Sequence, residues 1–85
     1  MQTQVTTTEL RVLIDGGSCL GRMIMADNNL AAILVPIGPA EPGHDPISGW
    51  YLEAGFGPCS TLRVLPPDFF ESEAAALAWV TSHLT

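Results

Sequence analysis

The chain contains no lysine, and its only cations are three arginines, Arg11, Arg22 and Arg63. Against nine acidic residues they leave a formal net charge of −6. A nucleic-acid surface needs clustered cations to displace counterions from phosphates, so no nucleic-acid partner is expected. The acids are too sparse for a nucleic-acid mimic, and the charge serves solubility. Long apolar runs are also missing. None approaches the roughly 18 residues of a membrane span, so no membrane partner is expected. The first eight residues lack the basic end and apolar stretch of an export signal. They read as a frayed lead-in, and the expected location is cytoplasmic.

Cysteine is scarce. Cys19 and Cys59 are expected to be reduced thiols in that compartment. With His44 and His83 they show none of the paired short spacings of a zinc site. Gly55-Phe56-Gly57-Pro58 lacks the Gly-Lys-Ser/Thr ending of a phosphate loop and reads as a turn. Asp15 and Asp27 sit at turns on opposite ends of one strand, too far apart for acid–base work. No metal and no cofactor is expected.

What the chain does hold is apolar bulk. Of its 85 residues 47% are hydrophobic and 14% charged, against a usual charged share of about 25%. A chain this short forms one domain and buries only roughly 60–65% of its unfolded surface. Its apolar share exceeds what such a core absorbs, which points to an interface.

Turn chemistry divides the domain. Residues 9–37 read as a three-stranded meander, with strands at 9–15, 19–27 and 30–37. They are separated by Gly16-Gly17 and Asn28-Asn29, residue types that accept the left-handed backbone. Residues 38–49 carry Gly38, Pro39, Pro42, Gly43, Pro46 and Gly49 and form a long loop. Residues 50–65 hold one or two further strands, the second at Thr61 to Leu65, stopped by Pro66-Pro67. Residues 68–84 form a helix, with Asp68 or Ser72 as the cap and an alanine-rich middle. Phe70, Leu77, Val80 and Leu84 share one helix face. The fold class is α+β: a small antiparallel sheet packed on one C-terminal helix.

Two-residue turns at those sites sort the sheet into two faces. Leu10, Val12, Ile14, Cys19, Met23, Met25, Ala32 and Leu34 fall on the face assigned to the helix. Leu13, Leu20, Ile24, Ile33 and Val35 fall on the other, beside Glu9, Arg11 and Arg22. One helix covers one face, so the second patch marks a partner site. Trp79 projects almost opposite Leu77 and adds to that expected interface. The chain therefore reads as a small non-enzymatic interaction or accessory protein, a homodimer or the subunit of a protein partner. The alternative is a small-molecule binding module using the 38–49 loop with Trp50 and Tyr51. A small enzyme built on His44 and Asp45 is the remaining class. It rests on one His beside one carboxylate in ordinary turn composition.

Overall fold

The computed structural model describes residues 3–84. Four antiparallel strands form a meander in the order β1-β2-β3-β4: Val5–Ile14, Gly17–Ala26, Asn29–Pro36 and Trp50–Gly55. A single 3₁₀ turn, Gly57–Cys59, and one helix, α1 at Glu73–His83, complete the fold. The α+β class and the meander are as the sequence indicates.

The turns lie one residue earlier than expected. Ile14 pairs with Gly17 and Ala26 with Asn29, so the turns are Asp15-Gly16 and Asp27-Asn28. Asp27 (φ 49) and Asn28 (φ 67) both take the left-handed region. That is the signature of a type I′ hairpin, whose twist matches the flanking strands. Asn29 steadies the turn by donating from Nδ2 to the carbonyls of Ala26 and Asp27. β1 also starts at Val5, inside the expected lead-in; Met1 and Gln2 lie outside the described residues.

Two β-bulges decide the faces. Ile24 pairs with Ala32 while Met25 pairs with Leu30, leaving Ala31 as an extra residue in β3. Because side chains alternate with period two, one extra residue flips everything after it. Ala32 and Leu34 therefore join Arg22 and Ile24 on the first face. Ile33 joins Met23 on the second, where Val35 opposes Tyr51. A second bulge at Glu53 puts Trp50 and Leu52 on the first face and moves Ala54 to the second.

The β2–β3 ladder stops at Arg22–Leu34. Continuing it would set Leu20 opposite Pro36, which has no N–H to donate. The ends of β1 and β2 consequently run on as a two-stranded arm, and the molecule measures 39 × 25 × 20 Å.

Everything else packs on the first face. Ile24, Ala32, Leu34 and Trp50 form the core with Cys59, Phe70, Ala76 and Val80. The helix begins at Glu73, later than the expected 68, because the Ser72 side chain accepts from Ala75 N at 3.0 Å. No strand forms at 61–65. The chain turns there instead, with the Ser60 carbonyl accepting from Arg63 N and Val64 N. Phe70 takes the β4 edge, exchanging two backbone hydrogen bonds with Trp50.

Candidate functional site

The 38–49 loop folds over the first face, beside the helix. Gly43 N donates to Glu9 Oε2 at 3.0 Å, and Asp45 Oδ1 accepts from both Trp50 Nε1 and Glu73 N at 2.8 Å. Asp45 thus satisfies a backbone donor that the helix start leaves unpaired. It is committed to holding loop, strand and helix together. His44 is exposed and donates its backbone N–H to the Glu41 carbonyl. The loop pair is adjacent in sequence but not organised as a dyad.

Trp50 and Tyr51 also part company. Trp50 is fully buried in the core, whereas Tyr51 is 39% exposed on the second face. They cannot line one pocket, because neighbouring strand residues point to opposite faces.

Beneath the loop lies the one buried charge among the described residues, Arg22, which is 4% exposed. Its guanidinium meets Glu9 Oε2 and Glu73 Oε2, each at 3.1 Å, and lies 4.9 Å from the Trp50 ring centroid. Glu73 also accepts from Thr7 Oγ1 at 2.6 Å. This network ties β1, β2, β4 and the helix start through one planar cation suited to two carboxylates. All its members have partners, so it reads as a structural clasp. The sequence showed these residues only as scattered charges.

The residues of the expected interface separate. Ile24 is fully buried beneath the helix. Leu20 is half-buried on the first face, and Leu13 is 87% exposed on the arm. Ile33 and Val35 lie on the second face. Trp79 packs on Phe70 at 5.7 Å between centroids and on His83 at 4.5 Å, along the core rim. The patch expected from sequence is therefore not one surface.

A different apolar surface exists. Leu10, Val12, Cys19, Met23, Met25 and Ile33 share the second face and are half-buried. None of them belongs to the core cluster. The 3₁₀ turn and the helix lie on the other side, and the loop reaches this face only at its start, beside the buried Val35. At one end of this face, a cleft of about 680 Å³ opens between the arm and the start of the 38–49 loop. Arg11, Asp15, Cys19, Val35, Pro39 and Tyr51 are among its walls.

The two thiols differ in setting, and both are free. Cys59 is fully buried, and burial pushes its thiol pKa up. Burial, followed by the nearby Glu53 charge, raises the Tyr51 phenol. An acid whose folded pKa lies above its unfolded value adds stability only below the unfolded value. Stability is therefore expected to fall as pH climbs past about 9, as unfolded thiols and then phenols ionise first. Alkylation of native protein at pH 8 should label Cys19 and spare Cys59; equal labelling by mass spectrometry would show that the core opens readily.

No helix among the described residues is long and apolar enough to cross a membrane, and none of those residues forms a cluster of three metal-ligating side chains. No protein-family model, no curated protein and no solved structure matches this chain.

Proposed function

We propose that this chain is a non-enzymatic interaction protein that self-associates through the sheet face opposite its helix. One observation carries the reading: the helix and most of the loop cover the same face, leaving Leu10, Val12, Met23, Met25 and Ile33 on the other without a covering layer. An apolar patch of this kind on a monomer marks an interaction site. The size fits. Strands of ten, ten, eight and six residues, about 4.8 Å apart and rising about 3.3 Å per residue, present roughly 500 Å². Two copies bury roughly 1,000 Å², the threshold a specific interface clears. No charged residue of β1, β2 or β3 points to this face; Glu53, beside Tyr51 at the β4 edge, is the ion that a second copy must leave in water.

Met23 lies between Thr8 and Ile33 in the sheet and is the position to test. At about 100 μM the wild type is expected to sediment above monomer mass. Met23→Asp should fall to a smaller species with its far-UV circular dichroism unchanged. A wild type that is monomeric at that concentration would falsify the reading.

A second reading is favoured by the cleft, which suits a small molecule held against Tyr51 and Arg11. A ligand there raises the melting temperature by mass action without altering sedimentation, which separates the two.

A further inference from the structure

β1 is an edge strand along all ten residues. The Gln4 carbonyl accepts from Asp27 N, so the Gln4 backbone faces β2. By the alternation of an antiparallel ladder, Thr6, Thr8, Leu10, Val12 and Ile14 face β2 as well. The N–H and C=O groups of Val5, Thr7, Glu9, Arg11 and Leu13 point outward. Among the described residues they have no backbone partner.

Natural edges are blunted by charged side chains, proline or a bulge, with lysine the commonest charge. β1 has no lysine, no proline and no bulge, and its pairing with β2 is unbroken. Its only charges are Glu9 and Arg11, two positions apart on one face and opposite in sign. Glu9 uses Oε2 for both Arg22 and Gly43 N; Oε1 has no partner among the described residues. Arg11 is exposed and makes no ion pair among those residues.

We propose that two copies join β1 to β1 antiparallel, with Leu10 on the two-fold axis and Glu9 of each copy opposite Arg11 of the other. The register follows from parity and charge. Outward groups sit on odd residues, so only registers that bring odd residues opposite odd residues form hydrogen bonds. Two such registers give the greatest overlap. One pairs residues 5–13 and sets Glu9 against Glu9, which repels. The other pairs residues 6–14 and makes the Glu9–Arg11 contact twice. On the second face it sets Leu10 against Leu10, Thr8 against Val12 and Thr6 against Ile14. The axis is perpendicular to the sheet, so both helices fall on one side of a continuous eight-stranded sheet. The edge joint stands independently of the face-to-face reading. Operating together with their two-fold axes crossing at right angles, the two contacts make a four-copy assembly of dihedral symmetry.

Sedimentation of the full chain at about 100 μM tests this with Arg11→Pro. That change removes an outward N–H and leaves the β1–β2 ladder intact. The wild type is expected at four-copy mass and Arg11→Pro at half of it. Met23→Asp also halves the mass, and the two together give monomer. An unchanged mass for folded Arg11→Pro overturns the edge joint. An unchanged mass for Met23→Asp overturns only the face-to-face contact. Should Arg11→Pro fail to fold, Arg11→Glu decides. It replaces two attractions with two repulsions, and at least a tenfold weaker edge association at low salt is expected. The same association constant as wild type rejects the proposal.

Discussion

Arg22→Ala is expected to lower the unfolding free energy by about 3 kcal/mol, the low end of what removing one partner of a buried ion pair costs. The low end applies because the two carboxylates it leaves behind, Glu9 and Glu73, are 39% and 27% exposed and regain water. Three losses combine. The glutamates face each other without the cation between them. Trp50 loses the guanidinium lying against its ring, worth about 1 kcal/mol where partly desolvated. The space of a long side chain opens beside a packed core. For a domain whose whole stability is roughly 5–15 kcal/mol, this removes a large share. Urea denaturation of wild type, Arg22→Lys and Arg22→Ala measures it. Lysine should recover only part, since a point charge cannot bond both carboxylates in one plane. A loss under 1 kcal/mol for Arg22→Ala would mean that the clasp contributes no more than a surface ion pair.

Gly49→Ala is expected to cost about 3 kcal/mol or more. Gly49 has φ +91, where a side chain is strained by about 1–3 kcal/mol. A Cβ there would also overlap the Phe70 carbonyl oxygen, which accepts from Trp50 N at 2.8 Å. The substitution therefore pushes apart the two chains that close β4 against the segment leading to the helix. Gly43→Ala is the control. Its φ of +77 is equally left-handed, but nothing lies within 4 Å of a Cβ. It should cost only about 1 kcal/mol. Equal losses for the two variants in thermal unfolding would show that backbone strain alone is at work and the Phe70 contact is incidental.

Residues that act on their neighbours in sequence were legible before the fold. Asp27-Asn28-Asn29 announced a hairpin because those side chains accept positive φ. Ser72 announced a helix start because its oxygen reaches a nearby N–H. Pro66-Pro67 was read as stopping a strand at 61–65, and no strand forms there. The turns lay one residue from where they were expected, yet that shift left face parity untouched, since moving a turn by one residue changes each pairing by two. The extra residue at Ala31 did the damage. Nothing in Leu30-Ala31-Ala32-Ile33 marks a bulge, so Ala32 and Leu34 were grouped with Leu10, Val12, Cys19, Met23 and Met25. The helix covers Ala32 and Leu34, but those β1 and β2 residues lie on the opposite face, and Ile24, expected in a surface patch, is core.

The candidate interface shifted for the same reason. Sequence alone determined that the chain is 47% hydrophobic with three cations, and that it forms a meander closed by a C-terminal helix. These follow from composition and from contacts between near neighbours, which any conformation of the chain carries. Tertiary structure decided which side chains are left over. Asp45 draws the 38–49 loop onto the helix side through Trp50 and Glu73, 5 and 28 residues away. Arg22 draws Glu9 and Glu73 together from the two ends of the chain. Such long-range pairings form only once the sheet exists to hold them. They placed the helix and most of the loop on one face and left Leu10, Val12, Met23, Met25 and Ile33 half-buried on the other.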